Sequence, residues 1–119
     1  MENKVLIIDD DEIIAKIIKK FLNLLKVEAE SVSNGNECLK KIQNTKYKLY
    51  FLDLTLPDIN GMELAKKIKE LDDGSIIIVM SGYLETEISP EYKNYYDDFI
   101  YKPDLSNLII EKTKKYLNL

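Results

Sequence analysis

Five short apolar runs of strand length alternate along the chain with segments whose apolar residues recur at helical spacing. The runs are KVLII (4–8), VEAESV (27–32), YKLYFLD (47–53), SIIIVMS (75–81) and DFIYK (98–102). Between the first two lies EIIAKIIKKFLNLL (12–25), which places Ile14, Ile17, Ile18, Phe21 and Leu25 on one helical face. Residues 36–44 form a shorter amphipathic helix after the turn SNGN, MELAKKIKEL (62–71) a third, and DLSNLIIEKTKKYL (104–117) the last. A strand followed by a helix, repeated, requires right-handed crossovers and hence a parallel sheet covered on both faces. SIIIVMS is the most β-branched run and is the expected central strand. The reading is an α/β fold of three layers. With 119 residues and no linker or internal repeat, it is one domain over 1–119.

The residue types restrict the chemistry. Histidine is absent and Cys38 is the one cysteine, which removes histidine-based catalysis, histidine metal sites and thiolate zinc clusters. Cys38 shares a helical face with Leu39 and Ile42 and reads as a small core residue. All 17 basic residues are lysine and the net charge is −4, so the basic, arginine-bearing stripe of a nucleic-acid binder is missing. No apolar run approaches a membrane span, and MENKVL has no secretory leader pattern, so the expected setting is the cytoplasm, with neither nucleic acid nor membrane as partner.

What remains is carboxylates, lysine and hydroxyls, and the strand ends collect them. Asp9 and Asp10 end the first strand, Asp53 the third, Ser81 the fourth and Lys102 the fifth. In open parallel sheets the ligand crevice lies beyond the carboxyl ends of the strands, where strand order reverses, and an order of 2-1-3-4-5 brings these residues to one edge. Two carboxylates about 4 Å apart repel by roughly 4 kcal/mol at an effective dielectric of 20, so such a cluster needs a cation. Mg²⁺ suits oxygen-only ligands and leaves coordination positions for water and phosphate oxygens. Phosphoryl chemistry then has its parts: Asp53 as nucleophile, Lys102 to neutralise charge and the Ser81 hydroxyl to donate.

The segments VLIIDDDE, FLDLTLPDINGMEL, IIIVMSGY and FIYKP, in this order, resemble the receiver domain of two-component response regulators. The resemblance covers nearly the whole chain and implies the flavodoxin-like (βα)5 sandwich. It implies that Asp53 accepts a phosphoryl group from a histidine kinase or histidine phosphotransfer protein, with Mg²⁺. By position, Asp10 corresponds to a direct metal ligand, Asp9 to an acid that holds metal-bound water, and Thr55 to a backbone-carbonyl ligand. Ser81 corresponds to the switch hydroxyl, Lys102 to the lysine that pairs with the phosphoryl group, and Lys102–Pro103 to a cis peptide. Phe99 falls at the aromatic position that reorients on activation, with a plain core aromatic as the alternative. Thr55 and Tyr83 flank the site and, by the same resemblance, tune dephosphorylation. Asp11 and Glu12 read as helix-start acids. The implied role is a signalling switch, not a turnover enzyme, acting as a monomer or weak dimer on an unidentified output protein, and either stand-alone or excised from a longer chain.

One stretch departs from the pattern. GYLETEISPEYKNYYDD (82–98) lacks the small Gly-Ala step before the fifth strand, and Pro90 falls where a regular fourth helix would run. A shortened, displaced or late-starting helix is expected. Tyr83, Tyr92, Tyr95, Tyr96, Phe99 and Tyr101 crowd this region, either as a docking surface or as cover for a poorly formed helix. Two rival readings stand beside this one: a pseudo-receiver that keeps the fold and binds without being phosphorylated, and a small Mg²⁺-dependent aspartyl phosphohydrolase of the haloacid-dehalogenase kind. The second requires an acid two residues after the nucleophile, where this chain has Thr55.

Overall fold

The strands assemble in the order β2-β1-β3-β4-β5, all neighbouring pairs parallel, in a computed structural model that describes residues 4–119. The first three residues of the expected 1–119 domain lie outside the described ones. The strands are β1 (Val5–Ile8), β2 (Ala29–Val32), β3 (Leu49–Asp53), β4 (Ile76–Ser81) and β5 (Asp98–Tyr101), and the α-helices are α1 (Glu12–Leu24), α2 (Gly35–Ile42), α3 (Gly61–Leu71) and α4 (Leu105–Leu117). Several strands begin one or two residues later than the sequence pattern suggests. At those margins the chain is already pinned, as where the Lys48 N–H donates to the Lys4 carbonyl at 2.9 Å, but the ladder proper has not begun.

Alternation of side chains along each strand divides the apolar residues between two cores. Val5, Ile7, Phe51, Ile78 and Met80 pack with Ile18 and Leu22 of α1 and Ile109 of α4. Leu6, Ile8, Leu52 and Val79 face the other way, onto Cys38 of α2 and Leu64 and Ile68 of α3. The central strands are therefore apolar on both faces, and β1 and β3 are buried throughout. This is the three-layer α/β sandwich expected. Burial also pushes the Cys38 thiol up to about 12, which keeps it an unreactive core group.

Each of the first three helices starts on a side-chain cap that points its N-terminus toward the strand ends. Asp11 accepts from the N–H groups of Ile13 and Ile14, Asn34 from Glu37, and Asn60 from Met62 and Glu63. The last helix differs: Asp104 makes no side-chain cap bond, and α4 is instead entered through a 3₁₀ turn, Lys102–Asp104. The peptide preceding Pro103 is trans, since no cis bond occurs among the described residues, and this corrects the cis Lys102–Pro103 bond that the resemblance implies. Here Pro103 lies in the first turn of that 3₁₀ segment, where its fixed φ suits helical entry.

The shortened fourth helix takes the form of two 3₁₀ turns, Glu85–Glu87 and Pro90–Tyr95, with Pro90 opening the second. Neither turn has a buried residue. Tyr92, Tyr95, Tyr96 and Phe99 lean partly buried against the second core, with the Tyr92 hydroxyl donating to Glu63 at 3.2 Å and the Tyr96 hydroxyl to Glu85 at 2.9 Å. Tyr83 alone among them is strongly exposed, at 66%. The tyrosines thus cover the segment that replaces a helix. No helix among the described residues is long and apolar enough to cross a membrane.

Candidate functional site

The order reversal in the sheet falls between β1 and β3, and the acids converge there. Asp9 follows β1 directly, held by its N–H donating to the Val32 carbonyl at 3.1 Å, and Asp53 is the last residue of β3. Both are buried, at 3% and 2% exposure, while Asp10 is exposed. One carboxylate oxygen from each of Asp9, Asp10 and Asp53 lies within 4.8 Å of the other two. Lys102, just past β5, extends its ammonium to 3.2 Å from Asp9 Oδ2 and 3.2 Å from Asp53 Oδ1.

The remaining bonds orient these groups. Asp9 Oδ1 accepts the Asp11 N–H at 2.9 Å, and Asp53 Oδ1 accepts the Thr55 N–H at 3.1 Å. Asp9 Oδ2 is fully buried and accepts no hydrogen bond, so its closeness to Lys102 is an ion pair without a directed bond. A buried carboxylate oxygen with no directed hydrogen bond is costly even beside a cation. Burial is the main reason the Asp9 carboxyl is raised to about 6; the Asp11 N–H opposes this, Asp53 adds repulsion, and Lys102 offsets part of it. Burial also opposes charge on Lys102, but Asp53 and Asp9 outweigh it and hold the ammonium above its ordinary value. One lysine faces two buried carboxylates, and the site carries excess negative charge.

The other expected residues are placed less uniformly. Ser81 is buried at the end of β4, one residue beyond the register partner of Asp53, and its Oγ accepts the Tyr83 N–H at 2.9 Å. Tyr83 contributes that backbone group while its ring stays exposed. Thr55 is exposed and forms an isolated antiparallel bridge with Asn60 that closes the β3–α3 loop. Phe99 is partly buried against the second core with Ile88 and Tyr92, not among the carboxylates. Asp11 is the α1 cap, as a helix-start acid should be.

Two residues of LPDING carry more than the sequence reading allotted to a Pro/Gly loop. A Cβ on Gly61 would lie 2.5 Å from Leu54 Cα and 2.8 Å from the carbonyl oxygens of Asp53 and Leu54, all backbone atoms that cannot swing aside. Asp58 reaches across to the start of α2, where its oxygens accept the Gly35 and Asn36 N–H groups, both at 2.9 Å. The glycine was visible in sequence as punctuation; its contact with the backbone at the end of β3 was not. Gly61→Ala should cost about 2 kcal/mol, because backbone must shift to admit the methyl group, and urea unfolding would show a lower midpoint with an unchanged slope. A wild-type midpoint would mean that the loop yields freely.

Residues 5–114 match the family model for the response regulator receiver domain. The chain belongs to the response regulator receiver family. This receiver is 30% identical over 117 residues to the transcriptional regulatory protein SrrA of Staphylococcus aureus, covering 98% of the chain and 48% of SrrA. It thus spans about half the length of the curated relatives it matches. A two-component response regulator from Clostridium difficile superposes with a TM-score of 0.89 at 30% identity, covering 98% of this receiver and 97% of that chain. The response regulator TrrA from Thermotoga maritima, solved in complex with Mg(2+)-BeF, gives 0.84 at 30% identity, covering 98% and 99%.

Proposed function

We propose that this receiver takes a phosphoryl group on Asp53 from the phosphohistidine of a histidine kinase or histidine phosphotransfer protein. A carboxylate oxygen of Asp53 attacks phosphorus as the P–N bond breaks; the imidazole leaves and takes a proton from solvent, and Asp53 becomes an acyl phosphate. Water attack on that phosphorus later returns the carboxylate and releases inorganic phosphate. Lys102, already 3.2 Å from Asp53 Oδ1, stays beside the phosphoryl oxygens and neutralises them. Ser81, on the adjacent strand end, supplies a hydroxyl that would exchange its present setting, in which Oγ accepts the Tyr83 N–H, for one in which its O–H donates to a phosphoryl oxygen. That exchange would alter the β4–α4 face, with its partly buried Phe99, and change what it binds.

The observation that carries the reading is the buried Asp9 Oδ2 without a hydrogen bond, in a cluster of three carboxylates offset by one lysine. That donor set fits a hard divalent cation, and the Mg(2+)-BeF complex of TrrA supports the choice of Mg²⁺. Asp10 and Asp53, with the Thr55 carbonyl, would hold it, and Asp9 would hold its water. When bound, Mg²⁺ supplies positive charge that balances the carboxylates and the incoming phosphate. We place the receiver in the cytoplasm as a switch for an output partner, not as a turnover enzyme.

Incubation with acetyl phosphate and Mg²⁺ should add one phosphoryl group by intact mass, and none without Mg²⁺ or in Asp53→Ala. Incorporation that persists in Asp53→Ala would move the chemistry to another residue. None in the wild type would favour the unphosphorylated binding module.

A further inference from the structure

The start of α2 has more N–H groups than its own cap can satisfy. Asn34 Oδ1 accepts the Glu37 N–H at 2.8 Å, and the Glu37 carboxylate accepts the N–H of Ser33, one residue before the cap, at 3.2 Å. The Gly35 and Asn36 N–H groups remain, and intrahelical bonding cannot reach them. Asp58, more than twenty residues further along the chain, takes one with each oxygen, so a carboxylate from the β3–α3 loop occupies the positive end of the α2 dipole. Those two N–H groups hold the Asp58 carboxyl below the usual carboxylate range, in the order Gly35 then Asn36.

The loop so anchored is the one that leads out of the phosphoacceptor. Its ends are fixed: Thr55 bridges Asn60, Asn60 caps α3, and Gly61 lies beneath Leu54. Its middle, residues 57–59, is tied down by Asp58 and by Ile59, whose Cγ2 sits 2.1 Å from where a Gly35 Cβ would be. From this geometry we infer that Asp58 is a positioning residue, whose grip on the α2 N-terminus holds the β3–α3 loop so that Asp53 and the Thr55 carbonyl stay in place for Mg²⁺ and the phosphoryl group. It rests on the function proposed above. Asp58 itself is hydrogen-bonded to Gly35 and Asn36 and not to Asp53 or Thr55; its action passes through the loop backbone, beginning at the Thr55 N–H on Asp53 Oδ1.

The test compares wild type, Asp58→Ala, Asp58→Asn and Asn34→Ala, measuring Mg²⁺ affinity by calorimetry and the rate of phosphoryl incorporation from acetyl phosphate at saturating Mg²⁺. Asn34→Ala uncaps the same helix without releasing the loop, and so reports what a merely structural loss does. Asp58→Ala should weaken Mg²⁺ binding about tenfold, the usual effect of losing a group that orients a ligand, and should slow incorporation. Asp58→Asn, which keeps one acceptor oxygen, should fall between Asp58→Ala and wild type, and Asn34→Ala should match wild type in affinity. The inference is overturned if Asp58→Ala binds Mg²⁺ and incorporates phosphoryl like wild type and only its unfolding midpoint drops, as in Asn34→Ala. Failure of the wild type to incorporate phosphoryl would remove the proposed function instead, and the affinity comparison would still decide the role of Asp58.

Discussion

Lys102→Met should be destabilised by about 3 kcal/mol at pH 7 without Mg²⁺, the usual result of removing one member of a buried ion pair. The Lys102 side chain is 23% exposed, whereas those of Asp9 and Asp53 are 0% and 3% exposed. Methionine keeps most of the length and apolar stem but leaves two buried carboxylates facing each other, one of which already has an oxygen with no hydrogen bond. The loss should shrink as pH falls toward about 6, because Lys102 holds the Asp9 carboxyl down and without it the variant takes up that proton before the wild type does. Phosphoryl incorporation should also slow by roughly 10²–10³-fold, since a preorganised donor to the developing charge is gone. Urea unfolding at pH 5 and 7.5, with rates by mass spectrometry, measures both. Wild-type stability at both pH values would mean that Lys102 is a solvated lysine whose proximity to the acids has no energetic weight.

Without Mg²⁺ the wild type should lose stability as pH rises from 4 to 7, the opposite of what most carboxylates do. Asp9 titrates near 3.8 when unfolded and is raised to about 6 in the native state, so both states are protonated below 3.8 and its contribution is then fully present. Between these values the unfolded chain ionises while native Asp9 keeps its proton. Above pH 6 the native carboxylate must be charged and buried, a loss on the order of 2–3 kcal/mol. Asp58 and Glu30 act in the opposite sense. The Gly35 and Asn36 N–H groups hold the first below the ordinary carboxylate range, and Tyr47 and then Lys41 hold the second there, so their stabilisation is lost only as pH falls through those depressed values. A cation bound by the native state at a hundred times its Kd should add about 2.7 kcal/mol. Because protonation of Asp9 removes part of the negative charge that holds the cation, the gain at one fixed Mg²⁺ concentration should be larger at pH 7.5 than at pH 5. Unfolding series with EDTA and with Mg²⁺ would show it, and an equal Mg²⁺ gain at both values would dissociate Asp9 from the metal.

Much of this architecture is a consequence of local pattern. The five apolar runs and the spacing of Ile14, Ile17, Ile18 and Phe21 are properties of neighbouring residues, and periodicity is enough to choose strand or helix and, by the handedness of crossovers, a parallel sheet. The absence of histidine likewise excluded whole chemistries with no structure needed. The strand-end placement of Asp9, Asp53, Ser81 and Lys102 followed from where each run stops.

Tertiary structure alone decided how those ends meet. That Lys102 reaches both Asp9 and Asp53, leaving Asp9 Oδ2 without a hydrogen bond, depends on strand register and on the 3₁₀ turn that begins at Lys102. The same holds for the fourth crossover. Pro90 made a regular helix costly, but that the segment becomes two 3₁₀ turns under partly buried tyrosines, with Phe99 against the second core, was settled by packing. Asp58 is the clearest instance, an ordinary loop acid by composition whose partners, Gly35 and Asn36, lie more than twenty residues earlier. Hydrophobic periodicity reports which face of an element is buried, whereas a bond between distant loops depends on a few ångströms of backbone placement that no local pattern encodes.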